Sequence, residues 1–188
     1  MIIIGITGTL GAGKGTIVDY LVEKKDFANF SVRNFLLEKI RELGMPENRD
    51  SMYNLANELR AKHGPSYIVD QLFEQAKQTA INSIIESIRT TGEIASLRQK
   101  GTFYLFAVDA DPRIRYDRIQ LRKSETDSVS FEIFRQNEQR ESISSDPGIQ
   151  NLKACIREAD YLIMNNGTID ELHIQLDTVL NQINVLYV

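Results

Sequence analysis

GTLGAGKGT, residues Gly8 to Thr16, decides how the rest of the chain is read. Gly8, Gly13 and Lys14 stand in the register of the phosphate-binding pattern G-x-x-x-x-G-K-[ST], yet Gly15 takes the hydroxyl position and Thr16 follows one residue late. Such a loop works through its backbone. Successive N–H groups at the start of a helix converge on one spot, and the helix dipole makes that spot attractive to an anion. Lys14 adds a mobile charge able to follow phosphate oxygens as charge shifts among them. The ordinary alternative is a glycine-rich turn with no ligand. Four loop glycines, a lysine in register and a strand–loop–helix context weigh against it.

That context comes from the flanking residues. Ile2 to Ile6, an apolar run ended by glycines, predicts a central parallel strand buried on both faces, and TIVDYLVEKK after the loop has helical spacing. Phe27 to Ser31 predicts a second strand. A helix from about Arg33, with Phe35, Leu36, Ile40 and Leu43 on one face, ends at Gly44 and Pro46. Met52, Leu55, Ala56 and Leu59 mark another amphipathic helix closing near Gly64-Pro65, and IVDQLFEQAK a further one. INSIIES predicts a third strand, followed by a helix that ends at LRQKG, and TFYLFAV a fourth strand. Asp111 as N-cap with Pro112 at N1 starts a helix, Lys123 to Ser130 reads as a loop, and a helix follows from about Phe131. YLIM predicts the fifth strand, and Thr168 with Glu171 a capping box for the last helix, Ile169 to about Ile183. Alternation of strands and helices predicts an α/β domain with a parallel sheet.

The 188 residues are 42% hydrophobic, enough for one sizeable core, so one domain is expected over 1–188. A formal charge of -4 argues against nucleic acid or an anionic membrane as the main partner, and any anion site has to be local. Cys155, the single cysteine, suits a buried position in a reducing compartment. The apolar start lacks a basic n-region and is too short to span a bilayer, so a cytoplasmic protein is expected. No Cys/His cluster at metal-ligand spacing suggests a structural zinc.

The order Gly15-Thr16 carries a resemblance. GTLGAGKGT resembles the G-x-x-G-x-G-K-G-T loop of nucleoside monophosphate kinases. From Ile2 to Leu180 the spacing is similar to that of small archaeal and bacterial P-loop proteins of the nucleotide-kinase or dephospho-CoA-kinase-like group. The resemblance implies a three-layer P-loop NTPase fold of the nucleoside-kinase type, with a five-stranded parallel sheet and helices on both faces. It also implies an acceptor-binding helical region at about 33–80, a short lid at about 118–135, and ATP and Mg²⁺ as cofactors. Gly8, Thr9, Leu10, Gly11, Ala12, Gly13, Lys14, Gly15 and Thr16 would hold the nucleotide phosphates, and Asn166 would lie against the adenine. For Asn166-Gly167-Thr168 the ordinary alternative is the turn and cap of the final helix.

On the acceptor side, NRDSMYNLANELRAKHG resembles an acceptor-binding segment of such kinases, which points to Arg49 and Arg60 as phosphate clamps. The planar guanidinium fork suits that task, and solvated surface charges are the alternative. ESIRTTGE is similar to the family's D-G-x-R segment, with Glu86 in the place of aspartate and Arg89 in that of the acceptor arginine. A carboxylate at a strand end beside the phosphate loop can hold magnesium through water or accept a proton, whereas an exposed strand-end glutamate does neither. Thr16 is a second magnesium candidate; Asp109 and Asp111 are further ones, Asp111 already having a capping task.

Arg115, Arg118 and Arg122 fall at i, i+3, i+7 on one helix face. Similar kinases use lid arginines to neutralise the transferring phosphoryl group, which implies Arg118 and Arg122, with Arg135 as a third; a solvated basic face pairing with Asp117 and Glu125 is the alternative. The catalytic set is then Lys14, Glu86, Arg118 and Arg122.

Two departures bear on the acceptor. Asn34 and Leu37 stand where adenylate kinases open the acceptor helix with D-x-x-R, leaving Arg33 as the nearest arginine. FANFSVRN lacks the acidic residue that dephospho-CoA kinases carry after the second strand. His63 reads as a helix-end charge, and His173 lies remote from the motifs. The expected activity is transfer of the γ-phosphate of ATP to a nucleoside or deoxynucleoside monophosphate, with dephospho-CoA as the second acceptor. A P-loop NTPase or nucleotide-binding regulatory module without a small acceptor is the alternative of another class. The oligomeric state stays open.

Overall fold

Ile3–Gly8 forms strand β1, and all of its residues are buried. It is hydrogen-bonded on both sides, to β3 (Ser83–Glu86) and to β4 (Phe103–Asp109). With β2 (Ala28–Ser31) and β5 (Tyr161–Met164) these make a five-stranded sheet in the order β2-β3-β1-β4-β5, every pair parallel. The computed structural model describes residues 1–122, 130–142, 146 and 149–183, with the backbone alone at 122 and 140–142.

Parallel strands need crossovers, and helices supply them. These are α1 (Lys14–Lys25), α2 (Val32–Glu42), α3 (Arg49–His63), α4 (Tyr67–Thr79), α5 (Thr91–Arg98), α6 (Pro112–Arg122), α7 (Phe131–Ser142), α8 (Leu152–Arg157) and α9 (Ile169–Gln182). Alternating side chains of the strands feed two cores. Ile3, Ile85 and Leu105 meet Leu36, Leu55, Leu72 and Leu97 on one face of the sheet. Ile4, Ile6, Ile84 and Phe106 meet Leu21, Leu172 and Leu176 on the other. The helices are closed by the residues the backbone needs at their starts. Ser31 caps α2 by accepting from the Asn34 amide (3.2 Å), Asn48 caps α3 through the Ser51 amide (2.9 Å), and Asp111 accepts from the Arg113 amide (2.8 Å). The box of Thr168 and Glu171 forms as the sequence predicts.

The sheet with helices on both faces matches the expectation, and the differences lie at the ends. β1 runs to Gly8 instead of ending at Ile6, because Thr7 and Gly8 continue the ladder opposite Ala107 and Val108. The polar Thr7 is satisfied there by donating its hydroxyl to the Ile88 carbonyl (2.8 Å). Helix α8 is six residues long and carries too little periodicity to be read in advance. The loop expected at Lys123 to Ser130 and the middle of the expected lid lie outside the described residues apart from Ser130. No helix among the described residues is long and apolar enough to cross a membrane.

Cys155 sits in the first of the two cores. Burial, reinforced by the charges of Glu93 and Glu158, pushes its thiol up to about 12. The thiolate, which is the reactive species, is therefore suppressed at neutral pH. Native protein is expected to react with a thiol reagent at pH 8 at least a hundredfold more slowly than protein unfolded in guanidinium, measured by release of the reagent's chromophore; equal rates would place Cys155 at the surface.

Candidate functional site

Between β1 and α1 the backbone turns back on itself. Gly13, just before α1, is left-handed (φ 97°, ψ 24°), and as a glycine it brings no side chain to cap the helix start. Two of the loop glycines are required by what packs on them. A Cβ on Gly11 (φ +79°) would overlap the carbonyl oxygen of Arg115, and one on Gly13 would overlap the side-chain amide of Asn165.

Those same neighbours hold the loop. Asn165 Nδ2 donates to the Ala12 carbonyl (2.8 Å), and Thr9 Oγ1 donates to Asp109 Oδ1 (2.6 Å). Arg115, 3% exposed, donates Nη1 to the Leu10 carbonyl (3.2 Å) and Nε to the Ala110 carbonyl (2.8 Å), and pairs with Glu138 of α7. Lys14 Nζ donates back to the carbonyls of Gly8 (2.9 Å) and Thr9 (2.7 Å).

The loop opens onto a cavity of about 410 Å³. Gly11, Gly13, Lys14 and Gly15 line it together with Arg33 on α2 and Arg49 and Arg60 on α3. Glu86, Ser87 and Arg89, at the end of β3, close it. Five cationic side chains (Lys14, Arg33, Arg49, Arg60, Arg89) and one carboxylate (Glu86) line it, so basic residues outnumber acidic ones here on an acidic chain. Leu36, Met52 and Tyr53 add an apolar and aromatic patch to the same walls.

Arg60 is 3% exposed and donates Nε (3.2 Å) and Nη2 (2.7 Å) to Glu93 Oε1, while its Nη1 is buried with no hydrogen-bond partner among the described residues. Glu93, fully buried, accepts at its other oxygen from the amides of Arg89 (2.9 Å) and Thr90 (3.1 Å), closing a capping box for α5. Ser87 is in the left-handed region at φ 67°. It stands where the family's D-G-x-R segment has its glycine, and a non-glycine residue pays for that conformation.

The predicted residues thus divide. Leu10, Gly11, Gly13, Lys14, Gly15, Arg33, Arg49, Arg60, Glu86 and Arg89 line one cavity. Gly8 and Ala12 are buried beneath the loop, Thr9 is tied to Asp109, and Thr16 is half-buried in the first turn of α1. Asn166 accepts from the Asp111 amide (2.8 Å) and so braces the turn before α9 against the start of α6. Arg118 bonds the carbonyl (2.9 Å) and side chain (3.4 Å) of Asn165, and Arg135 pairs with Glu138 (2.9 Å); neither lines the cavity. The side chain of Arg122 lies outside the described residues.

Sequence reasoning missed Asn165, Arg115 and Glu93 as supports of the site. Only Glu93 had a local signal, since Thr90-Thr91-Gly92-Glu93 is a capping-box pattern. Among the described residues no three His, Cys, Asp or Glu side chains gather as a metal cage. Magnesium borne on phosphates asks for one or two carboxylates, and Glu86 on the cavity wall fits that demand.

The sheet order, the loop and the placement of the loop at the end of β1 define a P-loop NTPase of kinase-like architecture. Residues 4–144 match the AAA_18 family, described as an AAA domain, and the chain belongs to that family. It is similar to UPF0200 proteins of archaea. With that of Methanocaldococcus jannaschii it shares 26% identity over 186 residues, 97% of this chain and 91% of the relative. With that of Methanococcus vannielii it shares 28% over 187 residues, 97% of each chain. Among solved structures, TT1252 from Thermus thermophilus matches with a TM-score of 0.62 and 20% identity over 97% of this chain and 98% of that one. A shikimate kinase from Bacteroides thetaiotaomicron matches with a TM-score of 0.55 and 12% identity over 98% and 99%.

Replacing Ser87 by glycine relieves the left-handed strain at that position, a cost of about 1–2 kcal/mol offset in part by the greater entropy of unfolded glycine. Ser87→Gly is expected to raise the urea midpoint by an amount equivalent to roughly 0.5–1 kcal/mol; a lowered midpoint would show that the serine side chain stabilises the turn.

Proposed function

We propose that the protein transfers the γ-phosphoryl group of ATP to a small phosphate-bearing acceptor, by preference a nucleoside or deoxynucleoside monophosphate. The observation that carries this reading is the single cavity shared by the phosphate loop and four arginines. A protein that only hydrolyses a nucleotide has no need of four arginines around the cavity its loop lines, whereas a phosphoryl acceptor with its own negative charge does. A shikimate kinase and a sugar kinase share the fold at 12% and 13% identity. Four guanidinium groups around one cavity match an acceptor that carries a phosphate better than one that offers a hydroxyl alone, which favours the monophosphate.

In this reading the backbone of the loop from Gly11 to Gly15 and the Lys14 amine hold the donor phosphates, and the arginines hold the acceptor in line with the γ-phosphorus. The acceptor oxygen bonds to that phosphorus as the bond to the β–γ bridging oxygen breaks, and ADP leaves. Glu86 and Thr16 would hold a magnesium ion brought in on the phosphates, which supplies neutralisation of their charge. Arg118 and Arg135 take part if their bonds to Asn165 and Glu138 exchange when nucleotide binds, and Arg122 stands on the same helix as Arg118.

Turnover is measured as ADP release with each nucleoside and deoxynucleoside monophosphate, and with dephospho-CoA, against basal hydrolysis. At least one monophosphate is expected to raise it tenfold or more, and Lys14→Ala to reduce the stimulated rate at least a hundredfold. Arg89→Ala is expected to raise the acceptor KM tenfold or more with the ATP KM within threefold. If no acceptor exceeds basal hydrolysis, the phosphotransferase reading fails and the NTPase or regulatory module takes its place.

A further inference from the structure

Glu93 has no surface and touches no solvent, yet four donors converge on it. One oxygen takes two of the three guanidinium nitrogens of Arg60; the other takes the backbone amides of Arg89 and Thr90. A single carboxylate therefore fixes the side chain of one cavity arginine and the backbone that presents another. What remains of Arg60 is Nη1, a charged donor that is buried, without a partner among the described residues, on a residue that lines the cavity. Native structures satisfy buried donors, and one left over in a cavity wall asks for an acceptor oxygen from outside the protein.

We infer that Glu93 is a positioning residue for the phosphate of the acceptor, and that Arg60 Nη1 is the donor it aims at that phosphate. The inference rests on the phosphotransferase reading for its substrate but not for its chemistry, which is recognition of a phosphate oxyanion. With Nε and Nη2 committed to Glu93, Arg60 cannot swing to clamp a ligand with its full fork, so it offers one donor in a fixed direction. The pair also explains how a guanidinium can be 3% exposed: Glu93 neutralises it within the protein. Arg33, Arg49 and Arg89, on the more open walls, then meet the remaining phosphate oxygens. That division of labour suits a phosphate with several charged oxygens better than a carboxylate, which one arginine fork already satisfies.

Inorganic phosphate serves as the probe, titrated calorimetrically into full-length protein whose phosphate loop is occupied by a non-hydrolysable ATP analogue. Wild type is expected to bind it. Glu93→Gln keeps the size of the side chain but turns an acceptor into a donor facing donors, so Arg60 loses its orientation. Phosphate affinity should fall at least tenfold while the affinity for the ATP analogue stays within twofold. A purely structural role would weaken both ligands together, and that result overturns the proposal.

Because a half-broken buried pair can unfold a domain, Arg60→Met with Glu93→Leu is the second variant: apolar replacement of both partners often leaves stability unchanged. This double variant should melt within a few degrees of wild type and show the same loss of phosphate binding. Phosphate affinity within twofold of wild type in the double variant, or no phosphate binding to wild type, also overturns the proposal. Phosphate binding that depends on Glu93 in a protein that no monophosphate stimulates would sink the phosphotransferase reading alone.

Discussion

The ladder on both sides of β1 is the constraint from which the site follows. Ile6 pairs with Glu86 across one edge, and Gly8 with Val108 across the other. These pairings are backbone hydrogen bonds in a fully buried strand, so they place the start of the phosphate loop, the carboxylate of Glu86 and the Asp109 that holds Thr9 at fixed separations before any side chain is chosen. The sheet order changes direction at β1, whose successors in sequence lie to one side and β4 and β5 to the other. Such a switch point leaves a crevice at the carboxyl ends of the strands, and it is there that the loop opens.

Around that fixed point the charge distribution runs against the chain as a whole. The protein carries four more acidic than basic residues, yet five cations meet one carboxylate in the cavity. Concentrating like charge costs stability, and the buried Glu93 offsets part of it by neutralising Arg60. Glu138 and Asp109 pair in turn with Arg115, whose guanidinium holds the loop. Glu93 lies 33 residues from Arg60 and Glu138 lies 23 from Arg115, so the site exists only in the folded chain.

That dispersion also explains what could be read in advance. Backbone-dependent features leave a local mark: the glycines of the loop, the apolar run of β1, the Asp111-Pro112 helix start and the Thr168 box are each decided within a few residues, and each forms as read. The arginines are different, because a guanidinium shows its task only by what it meets across the fold. Arg115 and Arg118 share a helix face, but the first is swallowed between the loop and Glu138 while the second rests on Asn165. Nothing in the spacing i, i+3 separates those fates. Asn165 and Asn166 are adjacent and chemically the same, yet it is Asn165 that bonds the phosphate loop, by virtue of following the last residue of β5. Arg60 combines both cases, since its helical position was legible and its carboxylate partner 33 residues later was not.

The hold of the Lys14 amine on the carbonyls of Gly8 and Thr9 has a consequence for selectivity. The lysine is held within its own loop. The amine is an intramolecular competitor at a high effective concentration, and an incoming anion has to offer it more than the loop carbonyls do. A lone chloride or carboxylate makes a poor exchange, whereas a chain of phosphates that also satisfies the amides of the first turn makes a good one. In the proposed phosphotransferase reading the lysine acts as a threshold, trading some affinity for every ligand against discrimination in favour of those with more than one phosphate.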